Sequence, residues 1–222
     1  MRLEDFSGAA AMPPDVAWLR LSAGLREADV KEAVRAVSSL LGRGVPGRAG
    51  EILKTVKPTE PDAAHARSLS RRHGKSALPL HVETSHRPRP CRYVVLGCVK
   101  PGEASTPTTL LDRKDLGFSA SETAELMGAP MLVRSGRRSF YSTILPRDCA
   151  YLRYDRDCME AVCDRGRRAL DIVGNGLARR NPYGHEWSTG DILVVDNWQA
   201  LHGRGDATAS ASRHLVRTMV YA

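Results

Sequence analysis

The spacing of apolar residues changes along the chain, from a helical period near the amino terminus to short strand-like runs afterwards. Between Arg26 and Leu41 apolar residues recur every three or four positions opposite a polar face, and Gly42 follows. This spacing is typical of one face of a helix, so it predicts an amphipathic α-helix that ends at Gly42. A glycine-rich stretch to Gly50 then predicts turns, followed by a short strand at 51–56.

From residue 78 onward, short runs rich in β-branched and aromatic residues are separated by glycine and proline, a pattern that predicts strands. The predicted strands are Leu78–Thr84, Tyr93–Val99, Thr108–Leu111, Met131–Val133, Ser139–Leu145, Asp191–Val195 and His214–Tyr221. Many short strands with few helices favour a mainly β fold with flanking helices, a barrel or sandwich, over a parallel α/β sheet.

Two helices are predicted to interrupt the strands. Ser119 with Glu122 three residues later is a capping-box pattern, so one helix is expected from Ser119 to about Gly128. The other is expected at 157–173, with the glycines of the following Gly174-Asn175-Gly176 as its carboxyl-terminal cap. That glycine pair is not a dinucleotide-binding loop, because it follows a helix and lacks a third glycine.

The bulk properties favour one domain spanning residues 1–222, with a helical amino-terminal part at 1–57 and a β core at 78–221. The first residues carry charges and no apolar run long enough for a signal segment, so a cytoplasmic protein is expected. The five cysteines are odd in number and lack a paired Cys-x-x-Cys pattern, which favours free thiols. Cys98 lies in an apolar run and is expected to be a buried small hydrophobe.

The formal net charge of +8 raises the question of nucleic-acid binding. Basic residues are scattered along the chain, and aromatic residues, which would stack on bases, make up only 5% of it. The local cluster between Arg67 and Lys75 contains Arg67, Arg71, Arg72, His73 and Lys75. A solvated loop is the simpler interpretation of this cluster, so the sequence argues against nucleic acid as a partner.

Three residues carry the strongest chemical indication in the chain. His81 and Glu83 stand two positions apart in a predicted strand, so their side chains should face the same side, with Val82 turned the other way. His202 follows a second buried strand that ends in polar turn residues. Two imidazoles and one carboxylate are the facial set that holds Fe(II) and leaves neighbouring coordination positions open.

The last predicted strand places two arginines on one face. Arg213 and Arg217 are four residues apart, which separates their Cα atoms by about 13 Å in an extended chain. A guanidinium binds a carboxylate through two parallel hydrogen bonds, so this pair suits two anionic groups in one cavity. The alternative is an exposed strand edge that carries two unrelated surface charges.

Taken in order, these segments resemble the clavaminate synthase-like branch of the Fe(II)/2-oxoglutarate dioxygenases, which is related to taurine dioxygenase. The resemblance spans residues 78–221. It is carried by Leu80-His81-Val82-Glu83-Thr84, Arg89-Pro90, Tyr93-Val94-Val95-Leu96-Gly97-Cys98-Val99, Thr108-Thr109-Leu110, Gly190-Asp191-Ile192-Leu193-Val194-Val195-Asp196-Asn197, His202-Gly203-Arg204, Arg213 and Arg217.

The resemblance implies a double-stranded β-helix, the cupin-like jelly-roll, with Fe(II) at one mouth. It implies that the metal is held by His81, Glu83 and His202. It also implies that Arg213, assisted by Thr109, binds the distal carboxylate of the cosubstrate 2-oxoglutarate. Dioxygen is the oxidant in this family, and the ligand set itself is the only catalytic group expected.

The resemblance further implies that Arg217 lies near the carboxylate of a small-molecule substrate. An amino acid, or an amino-acid-derived or carrier-tethered intermediate of specialised metabolism such as antibiotic biosynthesis, fits the family. Hydroxylation is the default outcome, while desaturation, cyclisation and epoxidation stay open. Related halogenases lack the carboxylate ligand, so Glu83 argues against halogenation. The segments at 111–120 and 145–157 are expected to form a lid. They contain Arg113, Lys114, Arg147, Arg153 and Arg156, which would either surround an anionic substrate or be ordinary surface charge.

Two readings from other functional classes compete with this one. A non-catalytic basic barrel would bind nucleic acid or an acidic partner through its net charge. A zinc hydrolase would use the same two histidines and carboxylate, because Zn²⁺ accepts that set with one open position for water.

Overall fold

The computed structural model describes residues 1–8, 12–13, 15–21, 24–47, 50–66 and 68–222, with the exception of the Arg137 side chain. Its strands are β1 (Trp18–Leu21), β2 (Arg43–Gly44), β3 (Lys54–Val56), β4 (Leu78–His81), β5 (Tyr93–Lys100), β6 (Thr108–Asp112), β7 (Met131–Val133), β8 (Phe140–Ser142), β9 (Met159–Ala161), β10 (Tyr183–His185), β11 (Ile192–Asp196), β12 (Ala200–Arg204) and β13 (His214–Tyr221). Its α-helices are α1 (Val30–Leu41), α2 (Leu69–His73), α3 (Ala120–Gly128) and α4 (Asp164–Ala178).

Two antiparallel sheets form the body of the molecule. The larger sheet has the order β1-β11-β5-β13-β2, with β3 also paired to β13. The smaller sheet has the order β10-β6-β12-β4. Neighbours in both sheets are distant in sequence, which is the connectivity of a jelly-roll rather than of a simple meander. The mainly β fold and the double-stranded β-helix are therefore confirmed.

The central strands of the larger sheet are buried on both faces, which explains their nearly continuous apolar sequence. On one face Leu96, Leu193 and Leu215 pack with Leu110 and Ala200 of the smaller sheet, so this cluster lies between the two sheets. Alternate residues of the same strands belong to a second cluster on the outer face. The alternation along β13 confirms the prediction for that strand.

Helix α1 covers the outer face of the larger sheet. Its inward residues Val30, Val34 and Val37 are at most 1% exposed and pack against β5, β11 and β13. The predicted amphipathic helix and its end at Gly42 are confirmed, although the helix begins at Val30 and not at Arg26. Leu40, which follows Val37 at the predicted apolar spacing, is 56% exposed and does not belong to the inward face.

A third, three-stranded sheet of order β8-β7-β9 packs with α3 and α4 beside the smaller sheet. Leu126, Met131 and Val173 are central to this cluster, and Val82 and Leu201 also belong to it. The last two residues flank His81 and His202 in sequence. The insert between β6 and β10 therefore supports the backbone that carries the predicted histidine ligands.

Of the two helices predicted between the strands, the first is confirmed and the second has different bounds. The predicted capping box at Ser119 is present, with the hydroxyl and the Glu122 carboxylate each bonded to the other's backbone N–H. The second helix, however, begins at Asp164, because Met159 belongs to strand β9. Gly174 and Gly176 lie inside that helix and do not cap it, since α4 continues to Ala178.

The amino-terminal part contributes strands as well as a helix. Strand β1 pairs with β11 through four residue pairs, from Trp18–Val195 to Leu21–Ile192, and so joins the edge of the larger sheet. The five cysteines are free, and Cys98 is fully buried, as expected. Within the described ranges, no helix has the length and apolar character that crossing a bilayer requires.

Candidate metal centre

The three predicted ligands converge at the edge where β4 and β12 pair. His81 and His202 are directly opposed in the antiparallel register of these strands, and their ring centroids are 4.7 Å apart. The potential ligand atoms of His81, Glu83 and His202 all lie within 4.8 Å of one another. Both histidine residues are 6% exposed, so their rings face the interior and not the solvent.

In His81 a hydrogen bond determines which ring nitrogen faces the cluster, and in His202 the nitrogen nearest Glu83 does so. Nδ1 of His81 lies 2.9 Å from the carbonyl oxygen of Pro79. A carbonyl only accepts, so Nδ1 carries the hydrogen of this bond and Nε2 is the nitrogen directed at the cluster. Nε2 of His202 lies 3.8 Å from Oε2 of Glu83. Burial lowers the pKa of His202 to about 4, against the opposing effect of Glu83, so the ring is the neutral form that binds metals.

Glu83 reaches the cluster from a turn and not from a strand. The prediction of a strand through Thr84 is wrong, since β4 ends at His81 and the next residues form a turn in which Thr84 has a φ of 58°. The i and i+2 alternation of a strand therefore does not orient Glu83. Its backbone is instead held by Asn197, whose amide oxygen accepts from Glu83 N–H at 2.7 Å and whose amide nitrogen donates to the Glu83 carbonyl at 3.1 Å.

The charge on Glu83 is stabilised by its neighbours. Burial alone would raise the pKa of this carboxyl, but the Arg217 guanidinium and the two imidazoles outweigh it and hold the pKa well below its usual range. Arg217 donates directly to Oε2 of Glu83, the same oxygen that faces His202. The structure thus places Arg217 at the ligand cluster.

Arg213 is a buried cation that lies beside a second buried cation, Arg204. It is 2% exposed, and its Nε has no hydrogen-bond partner among the described residues. Burial and the neighbouring Arg204 lower the pKa of Arg213 to about 10, which still leaves it charged at neutral pH. Arg204 itself donates to the carbonyls of Gly74 at 2.9 Å and Ser76 at 2.6 Å. A buried guanidinium with unused donors is suited to an anionic ligand.

Thr109 lies on β6, directly opposite Gly203 of β12 and next to His202 in the sheet. A Cβ at Gly203 would lie 2.7 Å from the Thr109 hydroxyl oxygen and 2.5 Å from the Leu78 carbonyl oxygen. Glycine at position 203 therefore lets β12 pass close to both neighbours. The strand that carries His202 is not predicted by the sequence pattern, because its run Ala200–Arg204 is short and contains glycine.

The predicted basic lid is wrong for two of its five residues. Arg153 is fully buried and donates to the carbonyls of Arg87 at 2.6 Å and Pro88 at 2.7 Å, and also to that of Ser85. Arg113 is half-buried and donates to Gln199 and to the Cys149 carbonyl. These two arginines hold the backbone near the ligands, whereas Lys114, Arg147 and Arg156 are exposed.

The basic cluster before β4 is engaged within the protein. Arg71 pairs with Asp62, and Lys75 pairs with Glu60. Arg72 and His73 both contact Asp157, at 2.6 Å and 2.9 Å. Arg67 lies outside the described residues. Paired cations are poor phosphate ligands, so this cluster favours the solvated-loop interpretation over a nucleic-acid interface.

Comparison with known proteins finds a dioxygenase family that matches the carboxyl-terminal part of the chain. Residues 120–219 match the family model described as Taurine catabolism dioxygenase TauD, TfdA family. The matched region contains His202, Arg213 and Arg217. A 3-((Z)-2-isocyanoethenyl)-1H-indole synthase from Fischerella ambigua (strain UTEX 1903) is 36% identical over 50 residues, which cover 22% of this chain and 18% of the relative. The chain thus matches less than a fifth of that relative's length.

Solved structures match over much more of the chain. Asparagine oxygenase superposes with a TM-score of 0.75 at 18% identity, covering 92% of this chain and 73% of that protein. The non-heme iron oxygenase OrfP, in complex with Fe and alpha-ketoglutaric acid, superposes with a TM-score of 0.67 at 22% identity, covering 86% and 64%. The chain has the fold of these oxygenases, and its resemblance to the taurine dioxygenase-related family is confirmed over residues 120–219.

Proposed function

We propose that this chain is an Fe(II)- and 2-oxoglutarate-dependent oxygenase that hydroxylates an unactivated C–H bond of an amino acid or an amino-acid-derived small molecule. The observation that carries the proposal is the convergence of His81, Glu83 and His202 within 4.8 Å, in a fold that also buries Arg213. We also propose that residues 1–222 act as one domain, because β1 pairs with β11 and so ties the amino-terminal part to the core.

The residues present fit an Fe(II) centre. Two imidazoles and one carboxylate are the donor set of non-heme Fe(II) oxygenases, and they occupy one face of the metal. The Nδ1–H of His81 is fixed by a backbone carbonyl, the usual way in which a ligating imidazole is oriented. When bound, the iron supplies the activation of dioxygen that is coupled to conversion of 2-oxoglutarate into succinate and carbon dioxide.

The protein's own residues seat the cosubstrate and the substrate. Arg213 binds the distal carboxylate of 2-oxoglutarate through its unused donors, and the Thr109 hydroxyl assists it. The low exposure of Arg213 excludes water from this contact and strengthens it. Arg217, already in contact with Glu83, orients the substrate carboxylate beside the metal ligands.

The solved structures that share this fold support an amino-acid substrate. Asparagine oxygenase is described in complex with Fe(II), 2S,3S-3-hydroxyasparagine and succinate. OrfP is described with succinate and (3S)-hydroxy-L-Arg. Both descriptions combine a hydroxylated amino acid with the product of 2-oxoglutarate turnover. We propose the same combination of a small amino-acid substrate and 2-oxoglutarate for this chain.

A second outcome of the same chemistry has one observation in its favour. The curated relative from Fischerella ambigua is a synthase of an isocyanoethenyl indole, a product that contains a carbon–carbon double bond. We therefore carry desaturation of an amino-acid-derived intermediate as the alternative. Product mass separates the two outcomes, because hydroxylation adds one oxygen whereas desaturation removes two hydrogens.

The proposal is tested with the purified protein under anaerobic conditions. Fe(II) together with 2-oxoglutarate should produce a weak visible charge-transfer absorption that is absent with Fe(II) alone. A panel of free amino acids and carrier-bound analogues is then scored aerobically by succinate release and product mass. His81→Ala and Glu83→Ala should abolish the release of succinate and, at the Fe(II) concentration that saturates the parent, the absorption as well, whereas the His214→Gln control should keep both.

Two results would overturn the proposal. If the two ligand variants released succinate as fast as the parent, the metal centre would lie elsewhere. If Zn²⁺, but not Fe(II), restored an activity that needs no 2-oxoglutarate, the zinc hydrolase would be the better assignment, since zinc accepts the same three donors.

A further inference from the structure

We infer that Asn197 is a positioning residue for the metal-ligating carboxylate of Glu83, through hydrogen bonds to the Glu83 main chain. The inference rests on the proposed function, because it takes Glu83 as a ligand. Asn197 itself contacts no reacting group. Its role is to set where the backbone of Glu83 lies, and thereby where the carboxylate is presented to His81 and His202.

The amide of Asn197 takes the place of a missing strand neighbour. In an antiparallel pair, one residue satisfies both the N–H and the C=O of the residue opposite. Glu83 lies beyond the end of β4 and has no such pairing. Asn197 supplies it with one side chain, accepting from Glu83 N–H at 2.7 Å and donating to Glu83 C=O at 3.1 Å. The side chain is fully buried, so water does not substitute for these bonds.

A third hydrogen bond ties the same amide to the far side of the turn. Asn197 Nδ2 also donates to the carbonyl of Cys91 at 2.8 Å. Cys91 in turn donates its N–H to the Thr84 hydroxyl oxygen at 2.7 Å, which supports the positive φ of Thr84. One amide thus joins the start and the end of the segment 83–91. Within that segment Arg153 holds the carbonyls between them.

Backbone hydrogen bonds hold Asn197 in place relative to the third predicted ligand, His202. Its N–H donates to the carbonyl of Arg92 at 2.7 Å, directly after β11 ends at Asp196. The following turn is closed by a bond from Gln199 N–H to the Asp196 carbonyl at 2.9 Å, and β12 with His202 then begins at Ala200. The amide therefore links the Glu83 turn to the strand connection that leads to His202.

Only an asparagine side chain meets these requirements. Aspartate keeps the acceptor for Glu83 N–H but loses both donated bonds and places a charge against two carbonyl oxygens. Glutamine keeps the amide but adds a methylene group in a site with no exposed surface. Asn197→Asp is therefore the informative variant, because its shape is preserved and only its hydrogen-bonding pattern changes.

The test measures metal affinity without turnover. Metal-free protein is titrated with Mn(II), and the free ion is counted from its electron paramagnetic resonance signal. Loss of a hydrogen-bonding partner behind a metal ligand costs about 10- to 100-fold in affinity, and we expect a loss in this range for Asn197→Asp. At saturating Mn(II), the affinity for 2-oxoglutarate should stay within about twofold of the parent, because Arg213 and Thr109 are untouched.

Two control variants separate positioning from a general loss of stability. Asn175→Asp makes the same chemical change at an exposed position on α4 and should leave Mn(II) affinity unchanged. Val194→Ala weakens the fully buried core on β11, three residues before Asn197, without touching Glu83. If Val194→Ala lowered Mn(II) affinity as much as Asn197→Asp at equal loss of thermal stability, the inference would be overturned.

A double-mutant cycle asks whether Asn197 acts through Glu83. In a Glu83→Ala background the carboxylate is gone, so adding Asn197→Asp should weaken Mn(II) binding by less than about twofold. Equal effects in both backgrounds would mean that Asn197 acts independently of the ligand. A parent protein that binds no Mn(II) through His81 and His202 would instead refute the proposed function, whereas normal binding by Asn197→Asp would refute this inference alone.

Discussion

At the residue scale, Arg213 gives the most direct prediction for cosubstrate binding. It is charged, 2% exposed and without a hydrogen-bond partner at Nε among the described residues. A hydrogen bond to a charged group contributes on the order of 1.5 to 3 kcal/mol, so Arg213→Ala should raise the 2-oxoglutarate concentration for half-maximal succinate release by roughly 10- to 150-fold. The measurement is the rate of succinate release against 2-oxoglutarate concentration.

The specificity of that effect is checked by metal content. Arg213→Ala should retain the metal stoichiometry of the parent, because its side chain is not among the ligand atoms of the cluster. Arg180→Ala, which removes an exposed arginine after α4, is the matched control and should change neither quantity. Equal losses of metal and of 2-oxoglutarate affinity in Arg213→Ala would contradict the assigned role.

The residues that could be predicted from the sequence are those whose chemistry is specific. Histidine and glutamate at a spacing of two, with a distant histidine before an arginine pair, indicate a metal and a diacid. Asn197 could not be found in this way, because an asparagine after a strand is also a common turn residue. Its partners, Glu83 and Cys91, are more than a hundred positions away in sequence, so only the fold reveals them.

At the scale of elements, Gly97 sets the distance between α1 and the larger sheet. A Cβ at this position in β5 would lie 2.5 Å from Cγ2 of Val34 and 2.7 Å from Cγ1 of Val30, both on the helix. Overpacking a well-filled core costs about 1 to 3 kcal/mol, so Gly97→Ala should lower the free energy of unfolding by that amount. Urea denaturation monitored by circular dichroism measures the change.

Two further variants test whether packing against α1 causes this loss of stability, and not simply the addition of a side chain within a strand. Gly184 in β10 is a matched control, because a Cβ there would make only an ordinary contact, at 3.6 Å from Pro107. Gly184→Ala should therefore change stability little. Adding Val34→Ala to Gly97→Ala removes the methyl groups closest to the new side chain and should recover part of the loss. Equal destabilisation by the two glycine variants would show that helix packing is not the cause.

Predicting elements from the sequence succeeded where one physical requirement dominates. Helix α1 and strands β7 and β13 are set by apolar spacing, and the start of α3 is set by its capping box. The prediction failed where tertiary contacts override local pattern. Strand β12 is short and contains a glycine, yet it is held between β4 and β6. Helix α4 runs through three glycines, at positions 166, 174 and 176, because its buried face packs with α3 and β9.

At the scale of the whole molecule, the fold class follows from many short strands, but the order of those strands does not. Apolar alternation shows which residues face a core, whereas it carries no information about which strands become neighbours. The pairing of β4 with β12, which brings His81 opposite His202, is a property of the jelly-roll as a whole. Local patterns therefore singled out the three ligand residues, but nothing in them showed that His81 would lie opposite His202.

The same geometry predicts that a bound metal stabilises the entire fold. The metal would join a turn after β4 to the middle of β12, two segments that lie far apart in sequence and meet only in the folded chain. A ligand that binds only the folded state at 100 times its dissociation constant adds about 2.7 kcal/mol. For a chain of this size, the midpoint of thermal unfolding should rise by roughly 5 to 10 °C with Mn(II).

The dependence of this rise on individual histidines identifies its origin. His202→Ala removes one of the three converging side chains and should abolish most of the Mn(II)-induced rise. His214→Gln removes a histidine at the start of β13 that is outside the cluster, and it should leave the rise intact. A rise that persists in His202→Ala would mean that Mn(II) binds the folded chain at another site, because no single metal could then be bridging β4 and β12.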